Sequence, residues 1–185
     1  MRVYPIKDLE IIKKMKDAMR KNGDMKILLL FTLGLNTAFR ISDLLTFTYE
    51  ELRGNRIIRK EKKTSKTKNI PVPPIVREVF SEIDDGTQTG YIFLSRSNRN
   101  KGGLWTQQHI ARELKFYASL AGFERNVGTH TMRKTFGYWR YVWSGKDLGL
   151  VQSLLNHSTS AETILYIGLD EEMRDKAYTA AEQQL

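Results

Sequence analysis

The pattern of apolar positions predicts a mainly α-helical chain. Residues 7–22 carry apolar side chains at helical spacing among lysines, which is typical of an amphipathic helix. Residues 25–39 are apolar on nearly every side, so we expect this second helix to lie at the centre of the core. Further helices are predicted at residues 75–83, 106–120, 130–143, 146–155, 160–167 and 171–183.

Two short segments with strand character flank the most basic stretch, residues 60–68. Residues 56–59 are rich in β-branched side chains, and residues 69–73 end in prolines that cannot donate to a ladder. A hairpin with a lysine-rich tip can reach a phosphate backbone, although such a stretch is more often a solvated loop. The predicted fold is therefore mainly α with a small antiparallel β-hairpin, and residues 91–94 form a short buried strand or extended segment.

The amino-acid composition limits the classes of binding partner. The 185 residues include 30 Lys and Arg against 21 Asp and Glu, a net charge of +9, which favours a polyanion such as nucleic acid. The alternative is a basic surface that meets only solvent. The absence of cysteine excludes disulfides, thiolate zinc sites and cysteine nucleophiles, and it fits a reducing cytoplasm. The longest apolar run, residues 27–35, is too short to cross a bilayer, so no membrane contact is expected.

Residues 130–166 concentrate the candidate chemistry. His130 and Arg133 begin this stretch, and His157 and Tyr166 lie near its end. A phenol can act as a nucleophile, imidazoles can move protons, and a guanidinium can hold an anion. Arg40 is a further candidate, because it follows the apolar helix at a junction where a buried charge needs a partner. That partner is either an incoming phosphate or a structural carboxylate such as Asp43.

Together these segments resemble the catalytic domain of tyrosine recombinases, the phage integrase family. The resemblance covers nearly the whole chain with its motifs in the family's order. The matched positions are residues 37–45 around Arg40, Lys63-Thr64 before Ile70-Pro71, His130-x-x-Arg133, and residues 154–157 followed by Tyr166.

The resemblance implies a role for each position. Tyr166 would attack a phosphodiester and form a 3′-phosphotyrosine, while Arg40 and Arg133 would hold the nonbridging oxygens. Lys63 would protonate the 5′ oxygen, with Lys66 as the alternative because several lysines crowd this position.

His130 would assist deprotonation of the tyrosine or hold the phosphate, and His157 would donate a hydrogen bond to the phosphate. The resemblance implies a reaction without metal or other cofactor.

The chain departs from the family pattern at two positions. Ala38-Phe39 precedes Arg40 where a glycine is frequent, and Asn156 precedes His157 where glycine is usual. We expect neither departure to contact a charge-bearing group. We also expect residues 1–185 to form a single catalytic domain, without the N-terminal domain that the family commonly carries.

The partner implied by the resemblance is double-stranded DNA, bound by a homotetramer on paired sites, with a monomer in its absence. The protein would then work in the cytoplasm, at the nucleoid. The helix at residues 171–184 is expected to pack on a neighbouring subunit. The side chains expected to contact the DNA backbone are Lys60, Lys62, Lys66, Lys68, Arg96, Arg99 and Lys101.

Two other functions remain open at this point. A type IB topoisomerase shares the tyrosine chemistry but relaxes supercoils without pairing sites. A non-catalytic DNA-binding protein could keep the same fold, although such a protein has no need of a nucleophile.

Overall fold

A computed structural model describes residues 2–61, 66–95 and 102–169, together with residues 175, 178 and 179. The helical prediction with one hairpin is confirmed. The elements are α1 (Leu9–Lys21), α2 (Met25–Thr37), α3 (Ile41–Leu44), α4 (Tyr49–Arg53), β1 (Arg56–Lys60), β2 (Thr67–Pro71), α5 (Pro74–Ser81), α6 (Gln107–Leu120), α7 (Thr129–Trp143), α8 (Leu148–Leu155) and α9 (Ser160–Ile167). The predicted helix at residues 171–183 lies almost wholly outside the described residues.

Helix α2 is the centre of the core, as its nearly continuous apolar sequence predicts. Leu28, Leu29, Phe31 and Leu33 are fully buried, and α2 packs against α1, α5 and α7. A second, smaller apolar cluster joins α7, α8 and α9 and includes the fully buried Val151. The C-terminal helices are therefore held on one side of the main core, where α7 belongs to both clusters.

Strands β1 and β2 pair antiparallel, with Arg56 opposite Pro71 and Lys60 opposite Thr67. The Glu61 N–H donates to the Lys66 carbonyl over 2.9 Å, which extends the pairing by one step. Since side chains alternate between the two faces of a strand, Ile57 and Glu61 share the inward face of the hairpin.

Several details differ from the sequence-based expectation. Helix α4 was not predicted, although Thr48 and Glu51 form a capping box there. Residues 91–94 make only isolated bridges in the described structure, from Tyr91 and Leu94. The aromatic residues Phe136, Tyr138, Trp139 and Trp143 recur at helical spacing, which predicts that most of them lie in the core, but Trp143 is 59% exposed.

The described helices include none that is long and apolar enough to cross a membrane.

Candidate active site

Arg40 is placed by the abrupt end of α2. Ala38 adopts a left-handed conformation (φ 56°), which ends the helix, and Arg40 becomes the N-cap of α3 in an extended conformation. Its side chain is 17% exposed, and its Nη1 lies 3.1 Å from Glu61 Oε1. Glu61 was not singled out from the sequence, from which we expected either a phosphate or a structural carboxylate such as Asp43 as the partner of Arg40.

Arg133 is buried in α7, with 3% exposure, and connects two helix ends. Its Nη1 donates to the carbonyl of Ala38 at the end of α2, and its Nη2 donates to the carbonyl of Leu155, the last residue of α8, over 2.5 Å. The C-terminal end of a helix carries partial negative charge, which favours a cation. The expectation that Ala38 contacts no charged group is therefore wrong, because its carbonyl binds Arg133.

Among the described residues, three cations surround one buried carboxylate. Glu61 Oε1 lies 3.1 Å from Arg40 Nη1, 3.6 Å from Arg133 Nη1 and 3.7 Å from Lys68 Nζ. We call Arg40, Lys68 and Arg133 the cation cluster. On the other oxygen, Glu61 Oε2 accepts a 2.8 Å hydrogen bond from Asn156 Nδ2, so the expectation that Asn156 contacts no charged group is also wrong.

Lys68 belongs to this site rather than to the exposed face of the hairpin. Its side chain is only 11% exposed, and its Nζ donates to the Ala38 carbonyl over 3.3 Å. Nζ also stands 5.1 Å from the centre of the Phe39 ring. Burial first, then the charge of Arg133, lowers the pKa of Lys68 from 10.5 to about 8, whereas Glu61 raises it.

Tyr166 lies near the C-terminal end of α9, with its hydroxyl 3.3 Å from His130 Nδ1 in the first turn of α7. Burial raises the pKa of Tyr166, and the charges of Arg133 and Arg40 oppose that rise. Lys134 Nζ donates to the Tyr166 carbonyl over 2.8 Å and lies 4.8 Å from the centre of its ring. The phenol therefore lies beside the imidazole of His130 and close to the positive charges of Arg133, Arg40 and Lys134.

His157 completes the group. Its ring stands nearly perpendicular to that of Tyr166, with 4.8 Å between the ring centres. The Thr163 hydroxyl donates to the Thr159 carbonyl, so it accepts from His157 Nδ1, 3.2 Å away, and Nε2 becomes the titrating nitrogen. Burial lowers the pKa of His157 and favours the neutral ring, whereas the carboxylate of Glu162, with Oε1 3.9 Å from Nε2, opposes that shift.

Five residues predicted from the sequence therefore converge on one site. The predicted general acid Lys63 lies outside the described residues. Among the predicted DNA contacts, Lys60 and Lys66 are exposed, and Lys62, Arg96, Arg99 and Lys101 lie outside the described residues. The five convergent residues are Arg40, His130, Arg133, His157 and Tyr166.

Sequence reasoning missed Glu61 and Lys134 and placed Lys68 on the surface. The signal for Glu61 was the alternation of β1, since residues 57, 59 and 61 share one face. The same alternation puts Lys68 beside Ile70 on the inward face of β2. Within the described ranges, no group of three or more His, Cys, Asp or Glu side chains is arranged to hold a metal ion.

Comparisons with known proteins identify the family of this chain. The family described as the phage integrase family matches residues 8–173. The chain is 34% identical over 178 residues to a Bacillus subtilis protein named probable integrase/recombinase YoeC, with 95% of each chain covered. It is 29% identical over 195 residues to the tyrosine recombinase XerC of Myxococcus xanthus, covering 97% of this chain and 62% of XerC.

A solved structure has the same fold. XerH recombinase, bound to its palindromic difH substrate, superimposes with a TM-score of 0.67 at 20% identity, covering 97% of this chain and 53% of XerH. The chain thus spans less than two thirds of the length of these Xer proteins. On the match of the family to residues 8–173 and the similarity to YoeC over almost its full length, this chain belongs to the phage integrase family, the tyrosine recombinases.

Proposed function

We propose that this protein is a site-specific DNA recombinase that cleaves and rejoins strands through a 3′-phosphotyrosine, without a metal ion. The observation that carries the proposal is the convergence of Tyr166 with His130 and Arg133: a nucleophile, a base and an anion-binding group meet in one half-buried site. Membership of the family supports recombination as the activity; the catalytic steps and the target are the proposal.

The chemistry balances without a cofactor. The Tyr166 oxygen attacks the phosphorus and gives its proton to His130 Nδ1, which is 3.3 Å away. The bond from phosphorus to the 5′ oxygen breaks, and that oxygen takes a proton from Lys63, or from Lys66 as the alternative. The reverse steps rejoin a strand, because the phosphotyrosine keeps the energy of the broken bond.

Positive charge stabilises the transition state. Attack on a phosphodiester concentrates negative charge on the nonbridging oxygens, and arginine donates to such oxygens in pairs. The backbone carbonyls of Ala38 and Leu155 already orient Arg133, so little reorganisation is needed when the phosphate arrives. An anion beside His157 Nε2 favours protonation of that ring, which can then donate a hydrogen bond to the phosphate.

The proposed partner is duplex DNA, a proposal that the palindromic difH substrate bound by XerH supports. Lys60 and Lys66 are exposed at the hairpin, where they can contact the phosphate backbone. We extend the proposal to Lys62, Arg96, Arg99 and Lys101, and to Lys68 as a contact of the scissile phosphate. We further propose a homotetramer on paired sites, in which residues 171–184 pack on a neighbouring subunit, at the nucleoid.

The test is trapping of a covalent adduct. Nicked duplexes drawn from the DNA that flanks the gene are incubated with protein in EDTA and resolved on a denaturing gel. We expect an adduct with the wild type and none with Tyr166→Phe, which should still shift DNA on a native gel. Binding without an adduct across a randomised sequence library would instead support the non-catalytic DNA-binding protein.

A type IB topoisomerase is the other enzymatic alternative. It would relax a supercoiled plasmid that carries no special site, whereas the proposed recombinase would require a specific sequence. Relaxation of any plasmid at similar rates, abolished by Tyr166→Phe, would replace the proposed function with this one.

A further inference from the structure

Asn156 occupies a backbone conformation that an asparagine adopts at a cost. It is the C-cap of α8 in the left-handed region, with φ 53° and ψ 38°. Glycine adopts this conformation without a steric penalty and is the usual residue at such helix ends. The side chain that an asparagine adds here makes a 2.8 Å hydrogen bond to Glu61, 95 residues away in the chain.

Glu61 carries its carboxylate in a position where burial of the charge is unfavourable. Its side chain is fully buried, and burial of an ionised carboxylate is unfavourable unless charges and hydrogen bonds compensate for the lost water. The cation cluster supplies the charges, and Asn156 supplies a hydrogen bond that also fixes the plane of the carboxylate. This arrangement spans the hairpin, the start of α3, the second turn of α7 and the end of α8.

The charges of this group match the proposed reaction. Arg40, Lys68 and Arg133 with Glu61 sum to two positive charges. A phosphodiester attacked by a phenolate reaches a transition state with two negative charges, one from each reactant. Three cations without Glu61 would repel one another in a poorly solvated site, because charges interact much more strongly there than in water.

We propose that Glu61, held by Asn156, is a positioning residue that sets the spacing and net charge of the cation cluster before DNA arrives. The inference rests on the proposed function for the reaction it serves. Glu61 contacts the phosphate-binding groups and acts through them. Asn156 fixes the carboxylate, so the left-handed asparagine at the end of α8 has a functional reason.

Asn156→Gly is the most informative variant, because it deletes the hydrogen bond while it removes the backbone penalty. If the hydrogen bond between Asn156 and Glu61 served only stability, Asn156→Gly would make the protein less stable. We expect an unchanged or higher melting temperature, DNA affinity within about threefold of wild type, and single-turnover adduct formation about tenfold slower, since small misplacements of catalytic groups are costly. Lys146→Gly is the matched control, because Lys146 is also left-handed (φ 70°) but lies in the turn before α8. Its adduct rate should equal that of wild type.

Combined substitutions test whether Glu61 and Asn156 act together. Glu61→Gln should slow adduct formation by about a hundredfold, and adding Asn156→Gly should slow it little further, because the two side chains act as one unit. Glu61→Asp is expected to restore part of the rate. Adduct formation at the wild-type rate in Asn156→Gly, or fully multiplicative effects in the double variant, would overturn the inference.

A readout without DNA separates this inference from the proposed function. Absence of an adduct with the wild-type protein on the full sequence library would overturn the proposed function, whereas the state of the cluster is measured in the free protein. Titration of the Lys68 ε-carbon by NMR should show a lower pKa in Glu61→Gln than in wild type, because Glu61 raises the pKa of Lys68. Asn156→Gly should shift the same titration, and Lys146→Gly should not. An unchanged Lys68 titration in Glu61→Gln would overturn the inference whatever the outcome with DNA.

Discussion

Gly137 in α7 and Ile167 in α9 are in such close contact that a Cβ added to Gly137 would stand 2.6 Å from Ile167 Cγ2. The same added atom would lie 3.0 Å from Leu155 Cδ1 in α8. Three helices therefore meet at one glycine. Because Ile167 follows Tyr166 directly, this contact sets the distance of the phenol from His130, which lies on the same helix as Gly137.

Gly137→Ala should separate these helices. We expect a loss of about 1–3 kcal/mol of unfolding free energy, which is typical of overpacking, and slower adduct formation because Tyr166 moves with α9. Urea denaturation and single-turnover gels measure the two effects. Gly149→Ala is the control, since its Cβ would meet only Asp147 Oδ1, at 3.4 Å. It should leave the rate unchanged, and an equal loss in both variants would contradict the packing argument.

His130→Gln tests proton transfer from Tyr166. Glutamine can hydrogen-bond the phenol but is not a base at neutral pH, so adduct formation should slow by about 10²-fold or more while DNA affinity changes little. His130 is exposed, and stability should also be unaffected. A rate within twofold of wild type, measured in single turnover from pH 6 to 9, would show that another group takes the proton.

Arg133→Lys and Arg40→Lys form a matched pair that separates stability from catalysis. A lysine at position 133 lacks the two donor nitrogens with which Arg133 binds Ala38 and Leu155, so we expect a loss of about 2–4 kcal/mol of unfolding free energy. Arg40 is 17% exposed, and Arg40→Lys keeps a positive charge beside the buried Glu61, so this substitution should cost less stability than Arg133→Lys. Both variants should slow adduct formation by at least about 10²-fold. Equal stability of the two variants in urea would contradict the bridging role of Arg133.

Lys68 predicts a specific dependence of stability on pH. Its pKa is about 8 in the folded protein, against 10.5 for an exposed lysine. Between these values the unfolded chain binds more protons, so stability should rise with pH, by about 3 kcal/mol over the whole interval. Lys68→Met removes this contribution. The difference in unfolding free energy between wild type and Lys68→Met should therefore grow in favour of wild type from pH 8 to pH 10. A difference that stays constant would contradict the burial of Lys68.

Local patterns were sufficient for most of the fold. The spacing of apolar residues predicted α1, α2, α6 and the helices from α7 to α9, because the buried face of a helix carries apolar residues at the helical period. The motif residues Arg40, Arg133 and Tyr166 could be named because the family's order and spacing recur in this chain. The exposed Trp143 shows the limit of that reasoning, since helical spacing alone does not say which helix face finds a partner.

The order of elements, the basic charge and the residues able to attack and bind a phosphodiester could all be predicted from local patterns. Three features could not: Glu61 lies within the cation cluster, Lys68 points inward, and Asn156 reaches the cluster from the end of α8. These features depend on residues that are far apart in the chain. Asn156 and Glu61 are 95 residues apart, as are Arg133 and Ala38, so their contacts depend on how the hairpin and the helix ends pack and not on any local period.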